Sequence, residues 1–284
     1  MTRRPRKTTS RPRLLIVDPF PMCHYYWNEY CNDAFNYLLE IESRYDRYMY
    51  MAPDSTFSID RQALVLWVIG ICYREFDYQR STVHAAIHIM DRYLIAKGSE
   101  CTVEDLQAIG ICASMIAGKL DETACAVNVE RCLIFCNFYT SKHLAKTELA
   151  ILVALKFEIL VASATGFADF FKRAVPALPE VSALFDFLCD ISLLSSKFLD
   201  YNTSQIAASA MWIALCAAHK DWNENLAIFT GYSRIDLTPC SMIFKELVES
   251  LHGNLNLQNK LQIALGSQYP LAPYLQTLNK VLEC

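Results

Sequence analysis

The chain has 284 residues, 53% of them hydrophobic, with a formal net charge of -4 and a pI near 5.9. That length suffices for one large or two ordinary domains, and the apolar fraction excludes wholesale disorder. The acidic balance argues against a dominant nucleic-acid surface, and no run reaches the roughly 18 uninterrupted apolar residues of a membrane span.

The chain opens on "MTRRPRKTTSRPR", basic and proline-bearing, with no apolar stretch behind it. No secretory leader is expected there. Residues 1–24 are expected to form a disordered tail, whose cations suit either nuclear import or solubility. Twelve cysteines follow. Cys72, Cys112, Cys189 and Cys216 lie in apolar helical runs, which suits reduced core thiols of an intracellular protein.

Helical spacing covers 25–48, then 61–75, 80–95, 104–118, 127–137 and 143–156, with short joins such as Lys97-Gly98-Ser99. "FEILVASATGFADFF" leads into a second set at 165–174, 180–197, 203–219, 222–229 and 239–251. "AVPALPE" and "TGYSRIDLTP" supply breaks within that set. Each half has one helix that is apolar on all sides, 106–117 and 206–218, and such a helix belongs at the centre of a bundle. The pattern predicts an all-α protein of tandem five-helix bundles, spanning 57–160 and 161–252. An additional helix and linker precede them at 25–56, and an extension expected to be helical in part follows at 253–284.

Some charges sit on apolar faces. On helix 143–156, Glu148 falls within the stripe of Leu144, Ile151, Leu152 and Leu155; such a carboxylate is costly unless paired or offered to a partner. Arg61 lines up with Val65, Val68 and Cys72, while Asp91 borders Val83, Ile87, Met90 and Leu94. That places Arg61 and Asp91 to pair at the bundle's edge. Lys119 and Glu122, three apart at the exit of the apolar helix, are placed to share a face.

In order and spacing, the motifs resemble the cyclins, regulatory subunits of cyclin-dependent protein kinases, of the mitotic A/B type. The resemblance runs from Asp33 onward. "DAFNYLLEIESRYDRYMY" resembles the helix before the first cyclin box, and "RQALVLWVIGICYREF" its opening motif. "AIHIMDRYL", "LQAIGICASMIAGKLDE" and "FYTSKHLAKTELAILVALKFEI" resemble later helices of that box, and "TGYSRIDLTPC" a signature of the second. The resemblance implies a non-catalytic kinase activator, with no cofactor, in nucleus and cytoplasm.

By the same resemblance, Lys119 and Glu148 correspond to the lysine and glutamate that grip the kinase, and their separation of 29 residues matches the family's. Glu122 resembles a second carboxylate at that contact, and Phe157 and Ile159 an apolar pair packing on the kinase. Leu120 stands where Phe or Tyr is usual. Arg61 and Asp91 resemble the family's internal salt bridge.

The chain departs from the family at the substrate-docking patch. Leu64, Trp67 and Gln107 match, but Asp60 replaces a methionine and Ala63 an isoleucine. The resemblance therefore implies a shallower patch and weak docking of Arg-x-Leu peptides from substrates or inhibitors. Asp60 is expected either to favour more basic peptides or to cap its helix. Leu66 replaces an aspartate, in an exposed or a core role. "TACAVNVE" lacks a Tyr-Pro-Pro. Arg11 and Leu14 have the spacing of a degradation signal.

Rival readings are weaker. His84 and His88 lack a His-Glu-x-x-His motif, and Cys132 and Cys136 lack a partner pair for zinc. No glycine-rich phosphate loop or Gly-x-Ser-x-Gly elbow occurs. A DNA-binding or scaffold protein with cyclin-like repeats, related to transcription factor IIB, is the alternative. It calls for a basic surface and usually a preceding zinc ribbon, and the acidic balance and missing ribbon count against it, so no direct nucleic-acid binding is expected; no membrane association is expected either.

Overall fold

The computed structural model describes residues 24–44, 56–97, 101–122, 127–136, 138–175, 178–266, 269 and 271–282. Residues 1–23 of the expected tail, including Arg11 and Leu14, lie outside these residues, as do the side chain of Asp60 and positions 123–126 of "TACAVNVE"; His24, expected in the tail, opens a helix. Among the described residues there are thirteen α-helices, one 3-10 helix and no strand.

Helix α1 (His24–Arg44) is followed by five helices: α2 (Thr56–Arg74), α3 (Arg80–Lys97), α4 (Asp105–Asp121), α5 (Val129–Phe135) and α6 (Ser141–Ala154). The second set is α7 (Ala164–Arg173), α8 (Pro179–Ser192), α9 (Thr203–Ala217), α10 (Glu224–Thr230) and α11 (Arg234–Gly253). Two more close the described chain, α12 (Leu255–Leu265) and α13 (Leu271–Leu282).

The two apolar helices are central. In α4 every residue from Ala108 to Gly118 is buried. In α9 the run from Ile206 to Leu215 is buried except at Trp212. Small residues let neighbours approach closely: a Cβ at Gly110 would lie 2.9 Å from Val68 and 3.2 Å from Leu64 of α2. Cys112 Sγ lies 3.3 Å from the Leu144 carbonyl, tying α4 to α6. Cys72, Cys112 and Cys189 are buried free thiols, and Cys216 is half-buried.

Side chains of α1 anchor it on the second set of helices. Phe35 of α1 stacks on Phe229 at 5.3 Å and meets Phe167 edge-on at 5.8 Å. Glu42 of α1 accepts hydrogen bonds from the Ser204 amide (2.7 Å), Thr203 Oγ1 (2.8 Å) and Ser204 Oγ (2.8 Å). It thereby satisfies the orphan Ser204 amide at the N-terminus of α9.

Several helix boundaries differ from the sequence expectation. The run expected over 180–197 ends at Ser192, and a 3-10 helix, Ser196–Asp200, follows. Arg61 Nη1 donates to the Leu193 carbonyl (3.1 Å) just past that end, meeting acceptors the helix leaves free. The last helix of the second set starts at Arg234, not near 239, because Ser233 and Asp236 form a capping box. Pro239 is carried inside that helix. Asp60 is not a helix cap, since α2 begins four residues before it. Leu66 is buried, which assigns it the core role.

Candidate functional site

Two classes of charged group occupy the bundle. Arg61 Nε and Nη2 donate to the two Asp91 carboxylate oxygens, each at 2.7 Å. Their side chains are 2% and 1% exposed. The arrangement is a bidentate pair whose remaining donor meets the backbone of the second half.

Lys119 and Glu148 are different. Lys119 Nζ donates to Glu148 Oε1, joining the end of α4 to the middle of α6. The lysine side chain is 47% exposed and the glutamate 17%. The carboxylate on the apolar stripe of α6 is thus paired within the chain and still reachable from outside.

Local structure sets this geometry. Gly118 precedes the lysine, and a Cβ there would lie 2.1 Å from the Tyr78 hydroxyl. Only glycine lets Tyr78 cross the end of α4. Helix α6 starts where the Thr140 side chain accepts from the His143 amide. It ends in two consecutive left-handed residues, Lys156 (φ 54°) and Phe157 (φ 58°). The Phe157 amide donates to the Leu152 carbonyl at 2.8 Å, closing the helix end. Neither residue is glycine, so the conformation costs roughly 1–2 kcal/mol at each. It leaves Phe157 62% exposed.

The segments flanking the pair carry further exposed apolar side chains: Leu120 beside Lys119, Leu149 beside Glu148, and Leu160 beyond Phe157. Ile159 is half-buried and packs on the core. Glu122 does not share the lysine's face. Its Oε1 accepts from the Gln79 amide (2.8 Å) and from Thr82 Oγ1 (2.7 Å), closing the N-terminus of α3. Burial pushes the Cys112 thiol up beneath this site, and the Glu148 charge adds to the rise.

The docking residues divide by exposure. Leu64 is buried, Trp67 half-buried, and Ala63 and Gln107 exposed.

Sequence reasoning missed a third cluster. Asp190 of α8 lies 3.0 Å from Arg80 Nη2 and 2.9 Å from His84 Nε2, both on α3. Tyr269 donates its hydroxyl to the other carboxylate oxygen at 2.8 Å. Burial alone would raise the Asp190 carboxyl, but Arg80, His84 and Tyr269 hold it below the ordinary range. Burial pushes the His84 imidazole down, and it pushes neighbouring His88 down to about 3. The only sequence signal was the His84/His88 pair, weighed there as a metal site.

Comparison with known proteins bears on this arrangement. Residues 33–160 match the cyclin N-terminal domain and residues 165–265 the cyclin C-terminal domain. The chain belongs to the cyclin family. The first cyclin match ends just past Ile159 and contains the Lys119–Glu148 pair, and the second runs through α12. Human cyclin-A1 is 30% identical over 87% of this chain and 52% of its own length. The G2/mitotic-specific cyclin S13-6 of Glycine max is 33% identical over 76% and 47%, respectively. Cyclin-B1-2 of Arabidopsis thaliana is 26% identical over 82% and 53%. This cyclin chain thus spans about half the length of the curated relatives it matches. A viral cyclin from herpesvirus saimiri shares the fold with a TM-score of 0.56 at 18% identity, covering 83% of this chain and 98% of that one.

Proposed function

We propose that this cyclin is the non-catalytic regulatory subunit of a cyclin-dependent serine/threonine kinase, working in nucleus and cytoplasm. The observation that carries the reading is an accessible Lys119–Glu148 pair flanked by exposed Leu120 and Phe157.

A protein kinase requires its helix-borne glutamate paired with the lysine that holds ATP phosphates, and an ordered activation segment. A rigid surface that binds this arrangement more tightly than the inactive one shifts the population toward it. Lys119 and Glu148 supply charge-assisted hydrogen bonds that set register. Leu120 and Phe157 supply apolar area and exclude water. Ile159 braces the segment from the core side, and Glu122 holds α3 against the end of α4. The left-handed turn at 156–157 keeps Phe157 outward before binding, which lowers the ordering cost.

Substrate recruitment is assigned to the exposed part of α2 and the start of α4, around Ala63, Trp67 and Gln107. The test of the main reading is a binding and activation assay with purified cyclin-dependent kinases. The expected result is a stable complex and a rise in phosphoryl transfer; no complex with any such kinase would overturn it.

A further inference from the structure

A groove of about 480 Å³ runs between α2 and α12, on residues that do not include the Lys119–Glu148 pair. The two helices meet at Gly70 of α2, where a Cβ would lie 3.6 Å from the Ala264 backbone, an ordinary van der Waals separation. Trp67 is half-buried on one wall, and Ile263 is 58% exposed on the other. Buried Leu66 also lines it.

The charge of the groove is predominantly positive. Arg74 and Lys260 both line it and are exposed. Arg74 Nε donates to the Gly70 carbonyl at 3.3 Å, which lays the guanidinium along the groove. Neither cation has a carboxylate partner among the described residues. Glu75 is the one acidic residue in the lining, and Arg131 donates to its backbone carbonyl. Unpaired cations beside an exposed aliphatic and an indole complement an anionic, apolar ligand.

We infer that this groove docks a short acidic peptide segment of a partner protein. A bulky apolar side chain of the segment sits between Trp67 and Ile263, and its carboxylates meet Arg74 and Lys260. The inference deepens the recruitment reading and rests on α2 being the docking element. It gives this cyclin a preference opposite to one for basic docking peptides.

The test uses the full chain and fluorescein-labelled peptides followed by anisotropy. One carries Leu-Phe flanked by Asp and Glu, a second has lysine in place of each acid, and a third has alanines in place of Leu-Phe. The acidic apolar peptide should bind at least tenfold more tightly than either other peptide, and more weakly as salt rises. Lys260→Glu should abolish that preference, and Ile263→Ser should weaken binding several-fold, with helical circular dichroism unchanged. Arg74→Gln provides a second charge test. Equal affinities, preference for the lysine peptide, or indifference to Lys260→Glu and Ile263→Ser would overturn the inference. So would self-association in sedimentation that Ile263→Ser abolishes, since the groove would then belong to a second copy. Kinase binding is measured on the same Lys260→Glu protein. Loss of peptide preference with kinase affinity intact separates this site from the kinase face. Failure of wild-type protein to bind any kinase counts against the kinase reading alone.

Discussion

Arg61–Asp91 and Lys119–Glu148 are both lysine- or arginine-to-carboxylate pairs linking two helices of the same bundle, yet they belong to opposite physical regimes. The first is at most 2% exposed and bonded at both guanidinium edges. The second leaves its lysine 47% exposed and its glutamate 17%. A buried, fully bonded pair punishes the loss of either member, because the other is left charged in a dry environment. A solvent-facing pair contributes about 0–1 kcal/mol to the fold and is free to exchange partners. Charge on an apolar face therefore has two uses here: one holds the architecture, and the other is held ready at a surface.

The largest expected effect breaks the first pair. Asp91→Ala should cost roughly 3–5 kcal/mol by stranding Arg61 in the core. Thermal unfolding should show a lowered midpoint, while any folded protein should still bind kinase normally. Native stability in this variant would erase the distinction between the pairs.

Acid should next damage the junction between the halves. His84 and His88 are held neutral by burial, with His88 down at about 3. The unfolded chain takes up protons below about pH 6.5 that the folded chain refuses, so stability falls as pH drops from there toward 3. Asp190 has a lowered value, so its contribution is present above the ordinary carboxylate range and is lost as pH falls through its folded value. The groups facing them, Arg80 and Asp186 at His84 and Arg61 and Arg92 at His88, do not reverse this sign. The midpoint should drop between pH 7 and pH 5, by roughly 2–4 °C per kcal/mol lost. His88→Gln should flatten that slope.

Docking comes third. Ala63 is exposed beside Trp67, and Asp60 precedes it on the same helix. Asp60→Met combined with Ala63→Ile should strengthen binding of a labelled Arg-x-Leu peptide by about tenfold, or 1.4 kcal/mol. That gain is within reach of restored aliphatic burial. Kinase affinity should not change. Tight binding by the unaltered chain would show that the patch is already complete.

The contrast between the pairs also marks what was legible in the sequence. Arg61 and Asp91 each stood on or beside an apolar stripe, so helical spacing alone brought them together. Glu148 stood out for the same reason, but its pairing with Lys119 depends on α4 and α6 packing, which no local pattern encodes. The three-residue spacing of Lys119 and Glu122 misled, because the carboxylate is drawn to the open amides of α3. Asp190 escaped notice because its partners lie 79 to 110 residues away across both halves. The Glu42 contact with α9 was hidden likewise. The start of α11 was missed because Pro239 read as a break, whereas the Ser233–Asp236 capping box starts the helix before it.

The most direct measurement is calorimetric titration of a cyclin-dependent kinase with wild-type, Lys119→Ala and Glu148→Ala chains, paired with thermal unfolding of each. Glu148→Ala should stay within about 1 kcal/mol of wild-type stability, and Lys119→Ala, which leaves the partly buried Glu148 unpaired, should lose less than Asp91→Ala does; both should lose at least tenfold in kinase affinity. Unchanged affinity in both, or a stability loss as large as that of Asp91→Ala, would contradict the assignment of this pair to the kinase surface.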